Sequence, residues 1–150
     1  MDITRFMEVV NNIIDNAIKY TYIDDKKEKK IKIEIMRNVI YDRSNDRSIW
    51  TIETDENREI DNKVRYIVIS IGDNGIGIEN SRLEGIFRPF YRKRMAMDVN
   101  GTGLKMYFCK KHMDKFEGFI TINSVEHVGT IVKIYIPQIR GEKEEGEAIS

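Results

Sequence analysis

The segment from Val64 to Ile71 is the most hydrophobic stretch of the chain, and it runs directly into the sequence Asp73-Asn74-Gly75-Ile76-Gly77. A short apolar run of this kind predicts a buried strand. The two glycines allow the backbone to turn sharply and to approach a ligand closely. A carboxylate at the end of a buried strand is costly unless a donor satisfies it, and an adenine amino group is one such donor. An ordinary turn is the alternative, because Asn-Gly is a common turn pair.

A long amphipathic helix is predicted from about Asp2 to Thr21. Its apolar residues recur at helical spacing and form one stripe: Phe6, Val9, Val10, Ile13, Ile14, Ala17 and Ile18. A polar stripe on the opposite side contains Asn12, Asn16 and Lys19. Asn carbonyl oxygens can bind a hard cation such as magnesium, and a Lys ammonium can meet a phosphate. A solvated helix face is the alternative.

A second glycine motif, Gly101-Thr102-Gly103-Leu104, lies at the start of a helix predicted from Leu104 to Phe116. Glycine amides at a helix N-terminus form a natural phosphate cradle, whereas a flexible hinge is the simpler alternative. The motif is neither a P-loop nor a dinucleotide-binding fingerprint, because the spacing of its glycines differs from both. Gly118 is placed to terminate the helix.

The remaining elements are predicted to be short. Strands are expected at 31–35, 39–41, 49–52, 119–125 and 130–136, a turn at 42–47, a polar loop at 54–62, a short helix at 83–90 and a mobile loop at 95–102. The segment from about 37 to 62 is expected to lie away from any ligand pocket and to tolerate shortening. The Gly- and charge-rich stretch 138–150 is expected to be disordered.

The composition excludes several classes of protein. Twenty-five basic and 25 acidic side chains give a formal net charge of zero, which argues against a dedicated nucleic-acid-binding domain. A single cysteine, Cys109, excludes an intramolecular disulfide and a Cys-rich zinc site. No apolar run approaches the roughly 20 residues of a membrane span. We therefore expect a cytoplasmic domain without membrane contact of its own, which is compatible with its being the cytoplasmic part of a longer, membrane-bound protein.

The order of the motifs resembles that of sensor histidine kinases, within the GHKL superfamily of gyrases, heat-shock chaperones, histidine kinases and mismatch-repair ATPases. Residues 6–21 resemble the N box, and Asp73 to Glu79 resemble the first glycine box. Ile86 to Arg92 resemble the F box, and Gly101 to Leu104 the second glycine box. Gly129 to Pro137 are similar to the last strand of the family. Four boxes in this order are far more specific than any one of them.

The resemblance implies an α+β fold, a two-layer α/β sandwich whose mixed sheet is packed on one face by helices. This domain would span residues 1–137, with an insertion at about 37–62. The implied cofactors are ATP and Mg²⁺, with the nucleotide held between helices and a lid loop.

The resemblance also implies the residues of the site. Asn16 would bind the magnesium ion, and Asn12, Asn16 and Lys19 would be the catalytic residues. Asp73 would accept a hydrogen bond from the adenine amino group, with Thr130 beside the adenine. The other implied nucleotide-binding residues lie in or next to the boxes: Tyr20, Gly75, Gly77, Ile78, Arg92, Gly101, Thr102, Gly103, Leu104 and Lys105.

The chain departs from the family pattern in four places. Lys105 stands where the second glycine box usually has its last glycine. The spacing from Thr21 to Asp73 is longer than usual, and the strand that normally precedes the N box is missing. Neither His112 nor His127 has the sequence setting of a phosphoacceptor, so both are expected to be packing or surface residues.

Three functions follow from these observations. The first is the catalytic domain of a histidine kinase, with a histidine-bearing dimerisation domain N-terminal to it in the full-length protein and a response regulator as indirect partner. The second is a free-standing GHKL serine kinase that acts as an anti-sigma factor. The third is a non-catalytic nucleotide-binding module. The F box and the Lys19-Tyr20-Thr21 ending of the N box favour the first, whereas Lys105 and the missing strand are the support for the third.

Overall fold

The computed structural model describes residues 2–23, 28–42, 50–52, 63–83 and 105–138. The helices are α1 (Ile3–Ile23), α2 (Asn80–Leu83) and α3 (Lys105–Lys115). The strands are β1 (Ile31–Ile40), β2 (Trp50–Ile52), β3 (Arg65–Asp73), β4 (Phe119–Val125) and β5 (Gly129–Pro137). These elements confirm the two long helices and the strands predicted at 31–35, 64–71, 119–125 and 130–136. The predicted loops at 54–62 and 95–102, residues 84–90 and residues 139–150 lie outside the described residues.

The helix α1 begins at a side-chain cap and buries the apolar stripe that the sequence predicts. The Asp2 carboxylate accepts a hydrogen bond from the Arg5 amide at 3.3 Å, which is the role of an N-cap residue. The stripe contributes Val9, Ile13 and Ala17 to the core. In the part of the chain that the structure describes, no helix is long and apolar enough to cross a membrane.

The strands form one sheet in the order β1-β3-β5-β4-β2, and each of the four pairings is antiparallel. The α+β architecture with helices on one face is confirmed, but the mixed sheet implied by the resemblance is not found among the described strands. The pairing of β3 with β5 places Asp73 directly opposite Thr130. Because paired residues share a face of the sheet, both side chains lie on the side that carries the helices.

The described parts of the added segment (about 37–62), residues 37–42 and 50–52, do not pair with each other. Its first part extends β1 to Ile40 past a bulge, where Asn38 takes a positive φ of 56°. Its second part is β2, which pairs with β4 at the opposite edge of the sheet. The two strands predicted on either side of a turn at 42–47 therefore lie at opposite edges of the sheet. They do not pair with each other, because the second one, β2, pairs with β4.

The sheet carries a separate core on each face. The helix-side core joins α1 and α3 to the sheet and contains the predicted core residues Met106, Cys109 and Met113. On the other face lies a second core, here called the aromatic cluster: Tyr41, Tyr66, Val68, Phe119 and Tyr135. Phe119 and Tyr135 stack with ring centroids 4.4 Å apart, and the Tyr41 ring meets Phe119 edge-on at 4.8 Å. Such aromatic pairs add to the stabilisation that burial alone supplies.

The end of α3 differs from the prediction in one residue. Glu117, and not Gly118, takes the left-handed conformation, with a φ of 57°. The Gly118 amide donates to the Met113 carbonyl at 3.0 Å, which completes a Schellman motif. The glycine is required for another reason, because a Cβ at this position would collide with the Tyr135 carbonyl of β5.

Candidate functional site

An open cavity, with about 360 Å³ of free space that includes the solvent at its mouth, lies between α1, the first turn of α3 and the helix-bearing face of the sheet. It is lined by Ile13, Asn16, Ala17, Tyr20, Ile71, Asp73, Ile78, Met106, Ile122, Thr130 and Val132. Most of these side chains are apolar, and the polar ones are few. A concave apolar site with a small number of fixed polar groups is the usual form of a small-molecule site.

Asp73 and Thr130 lie side by side on neighbouring strands and supply polar groups to this cavity. The Asp73 carboxylate accepts a hydrogen bond from the Gly75 amide at 2.9 Å, which fixes its orientation. An ionised carboxylate has only acceptor sites. Next to apolar walls, it therefore suits a flat ring that carries an amino donor.

The first glycine motif is wedged between the end of α1 and the β4–β5 turn. The Ile76 amide donates to the Tyr20 carbonyl at 3.3 Å, and the His127 amide donates to the Ile76 carbonyl at 2.6 Å. A Cβ at Gly75 would lie 2.6 Å from the Tyr20 carbonyl oxygen. Gly77 has a φ of +70°, and a Cβ there would collide with the Val125 carbonyl. Only glycine fits at these two positions, so they shape the site through the backbone.

Ser124 is a site residue that the sequence interpretation missed. Its hydroxyl oxygen lies 2.7 Å from the Thr130 hydroxyl and accepts a hydrogen bond from the Ile78 amide at 2.7 Å. It also lies 3.2 Å from the Gly129 carbonyl oxygen, to which it can donate. Ser124 thus connects the glycine motif to β5 and positions Thr130. The signal in the sequence was the hairpin register, which places Ser124 opposite Thr130.

Asn16 presents a buried oxygen that no described residue satisfies. Its side-chain nitrogen lies 3.3 Å from the Met106 sulfur, which is an acceptor. The amide oxygen therefore faces away from the sulfur, and it is buried without a hydrogen-bond partner. The residue is only 8% exposed and lines the cavity. Because Mg²⁺ prefers oxygen ligands, this orphaned oxygen fits the magnesium role that the resemblance implies.

Other predicted site residues lie outside the cavity lining. Asn12 faces α3, where its side-chain nitrogen lies 3.8 Å from the Cys109 sulfur. Burial raises the pKa of the Cys109 thiol to about 11, which keeps it protonated and unreactive near neutral pH. Lys19, Gly75, Gly77 and Lys105 are described but do not line the cavity, whereas Arg92 and 101–104 lie outside the described residues.

Ile78 lines the cavity and is among the implied nucleotide-binding residues, whereas the other apolar walls of the cavity were predicted as core and not as site. Ile13 and Ala17 flank Asn16 by one helical turn or less, and Ile71 belongs to the strand that ends in Asp73. Both the helix-side core and the cavity are thus built from the same apolar stripe. Residue type alone does not separate these two uses, because a wall of a ligand site and a packed core need the same side chains.

Comparison with known proteins identifies the family that has this fold. The family of histidine kinase-, DNA gyrase B- and HSP90-like ATPases matches residues 1–140. The chain belongs to this family. The match includes every element that lines the cavity and extends through the final strand.

The chain has sensor kinases among its relatives within this ATPase family. The chain is 30% identical over 139 residues to sensor protein kinase WalK of Staphylococcus haemolyticus, and 30% identical over 138 residues to WalK of Staphylococcus aureus. The alignments include 91% of this chain but 18% and 27% of those proteins. The chain therefore spans about a fifth to a quarter of the relatives' length and is homologous to one part of them.

Solved structures show the same fold. The nucleotide-free catalytic domain of histidine kinase ThkA matches with a TM-score of 0.58 and 25% identity, over 91% of this chain and 69% of that one. The mycobacterial sensor histidine kinase MprB matches with a TM-score of 0.61 and 19% identity, over 91% of this chain and 74% of that one. The likeness to MprB supports the fold of this ATPase domain.

Proposed function

We propose that this ATPase domain binds Mg-ATP and donates the γ-phosphate to a histidine on a separate dimerisation domain, in two-component signal transduction. The observation that carries the proposal is the cavity itself, in which a carboxylate acceptor and an orphaned amide oxygen accompany apolar walls. Asp73 supplies the acceptor, and Asn16 supplies the oxygen. These two groups suit the two ends of an adenine nucleotide with its metal ion.

Each side chain has a distinct task in this proposal. Asp73 accepts from the adenine amino group, and Thr130 is held beside it by Ser124. Asn16 turns its amide oxygen to the magnesium ion, and bound Mg-ATP supplies the phosphoryl group and the charge neutralisation. The remaining contacts to the nucleotide come from residues that the motifs place near it: Lys19, Tyr20, Arg92, Gly101, Thr102, Gly103, Leu104 and Lys105.

The acceptor is proposed to lie on another domain because neither histidine of the chain lines the cavity. The His112 side chain is only 11% exposed and lies 3.5 Å from the Glu8 carboxylate, between α3 and α1. His127 is exposed on the β4–β5 turn. Phosphoryl transfer needs the reacting atoms about 3–3.5 Å apart, so the acceptor histidine must be brought to the nucleotide by its own domain.

Titration calorimetry tests nucleotide binding. The 150-residue chain should bind ATP and ADP in the presence of magnesium with modest affinity, in the micromolar range or weaker. Asn16→Leu should abolish the magnesium dependence, because it removes the oxygen ligand. Asn11→Leu, on the exposed face of the same helix, is the matched control and should bind as the parent does. Absence of binding at millimolar nucleotide would refute the proposal.

Radiolabelled ATP tests the transfer step. With a matching histidine domain, the chain should produce an acid-labile, alkali-stable phosphohistidine on that domain, and the reaction should require Asn16. Stable label on a serine of a protein partner would instead select the anti-sigma serine kinase. Label on His112 or His127 of the isolated chain would contradict the proposed division between the two domains.

Lys105 is proposed to help hold the phosphates. It is the first residue of α3, where a cation opposes the helix dipole by about 0.3–1 kcal/mol unless an anion is bound there. Lys105→Gly should therefore weaken ATP binding more than adenosine binding. Equal changes for both ligands would show that the side chain does not contact phosphate.

A further inference from the structure

The first part of β1 exposes an apolar row at an edge of the sheet. Ile31, Ile33 and Ile35 are 38%, 51% and 68% exposed, although they share the helix-bearing face with Ile71 and Ile69. In the sheet formed by the described strands, β1 is the terminal strand next to β3. An apolar edge strand is a template for pairing with another strand, and proteins that do not use such an edge usually protect it with charges, prolines or short length.

The hydrogen-bond pattern shows which backbone groups of β1 point outward. The Asn74 amide donates to the Lys30 carbonyl at 3.2 Å, and these two residues stand directly opposite each other in the β1–β3 register. In an antiparallel pair, residues with inward-pointing backbone groups alternate with residues whose groups point away. Lys32 and Glu34 therefore direct their backbone groups to β3, whereas Ile33 and its two isoleucine neighbours direct theirs to the open edge.

Five symmetric pairings of two β1 strands join outward groups to outward groups, one centred on each residue from 31 to 35. The pairings centred on Lys32 and on Glu34 set two like charges directly opposite each other on the dimer axis. The pairing centred on Ile31 sets Lys30 against Lys32 of the other copy, which repel. The pairing centred on Ile35 sets Glu34 against Met36. The pairing centred on Ile33 sets Lys32 against Glu34 of the other copy twice, and it joins isoleucine to isoleucine at every outward position.

We infer that β1 pairs with β1 of a second copy of this chain, antiparallel and centred on Ile33. The three isoleucines of each copy then form one apolar strip, and Lys32 and Glu34 exchange their 2.8 Å contact within the strand for contacts across the dimer axis. The bulge between Met36 and Val39 bends the strand and limits the pairing to residues 31–35. Such a two-fold contact is closed, because the same surface is used by both copies.

Sedimentation velocity of the 150-residue chain, without nucleotide, tests the dimer. The chain should form a weak reversible dimer, since a contact of five residues is small. Lys32→Glu and Glu34→Lys should each weaken it about tenfold, because each sets like charges opposite one another at two places. An equimolar mixture of the two variants should recover dimerisation, since every Lys then faces a Glu. The double variant K32E/E34K should also recover it.

A variant at the dimer axis and a matched control on α1 test the same contact without charge reversal. Ile33→Lys places two ammonium groups on the dimer axis and should abolish the dimer, whereas Ile3→Lys alters an exposed isoleucine of α1 and should leave it unchanged. Circular dichroism shows that each variant is folded. A chain that stays monomeric up to millimolar concentration, a dimer that ignores both charge reversals, or open-ended polymers would each overturn the inference.

Discussion

The two faces of the sheet are built in different ways. On the aromatic-cluster face, Tyr66 and Phe119 are almost completely buried, and the rings pack directly on one another. On the helix-side face, the core stops at a cavity, and the oxygen of Asn16 is buried without a partner among the described residues. A complete core stabilises the fold, whereas an incomplete one leaves groups that a ligand can satisfy. The difference predicts that mutations in the aromatic cluster mainly lower stability, whereas mutations at the cavity mainly lower ligand affinity.

The residues around the cavity are also of a different kind from those on the opposite face. Met106 and Met113 belong to the core between α3, α1 and the sheet, and their flexible thioethers adapt to irregular space without fixing its shape. The aromatic cluster instead consists of rigid rings in defined edge-on and stacked arrangements. The cavity side is thus suited to adjust around a bound molecule, and the aromatic side to hold the sheet constant.

The largest effect is expected on the aromatic side. Phe119→Ala should lower the free energy of unfolding by about 3–5 kcal/mol, since it leaves a void among rings that cannot collapse into it. Chemical denaturation measures this loss. Phe108→Ala, at an exposed position of α3, is the control and should change stability by about 0.5 kcal/mol or less. Similar losses for both variants would show that the cluster is not a structural core.

On the cavity side, Asp73→Asn should affect the ligand more than the fold. The variant keeps an oxygen for the Gly75 amide, so the turn should be retained. In the proposed complex it brings a donor towards the adenine amino group and loses a hydrogen bond to a charged acceptor, which is worth about 1.5–3 kcal/mol. Calorimetry should show ATP affinity reduced about ten- to a hundredfold. Unchanged affinity in a folded variant would remove Asp73 from the site.

Ser124→Ala should lower both the stability of the fold and the affinity for nucleotide, because Ser124 joins the glycine motif to β5. The variant leaves the Ile78 amide without its acceptor, and an unsatisfied buried donor costs about 1–3 kcal/mol. The Thr130 hydroxyl also loses its 2.7 Å partner, so nucleotide affinity should fall as well. Thr121→Ser, on the other face of the same strand, should leave nucleotide affinity unchanged. A loss of stability with full affinity would assign Ser124 to the fold alone.

The smallest effect concerns pH. Burial raises the pKa of the Cys109 thiol from 9.0 to about 11, so the folded state holds its proton more tightly than the unfolded state. The contribution of the protonated thiol to the free energy of unfolding is complete below pH 9 and is lost as the pH rises from about 9 to 11. The free energy of unfolding should therefore fall by about 1 kcal/mol between pH 8 and pH 10. Denaturation curves at these pH values, compared with those of Cys109→Ala, measure it. An equal pH dependence in both proteins would show that the thiol is accessible.

The sequence determined the parts of this protein that depend on local pattern. The helical spacing of the first stripe predicted α1, and Asp73 at the end of an apolar run predicted a polar group at the end of a buried strand. The glycines at 75 and 77 were also predictable, because a tight turn next to packed backbone admits no side chain. These features are encoded within a few residues of one another, so a single segment suffices to reveal them.

Tertiary structure alone decided the features that join distant segments. The sequence indicated short strands around a turn in the added segment and predicted that the segment tolerates shortening, yet Tyr41 lies in the aromatic cluster and 50–52 pair with β4. No local signal shows that β2 crosses to the far edge, because its partner lies about seventy residues further along the chain. Likewise, the sequence made Asn16 a candidate magnesium ligand, but only the packing of α3 shows that its nitrogen meets Met106 and that its oxygen has no partner among the described residues. Hydrogen-bond satisfaction is a property of the assembled interior, and the residue types in one segment do not determine it.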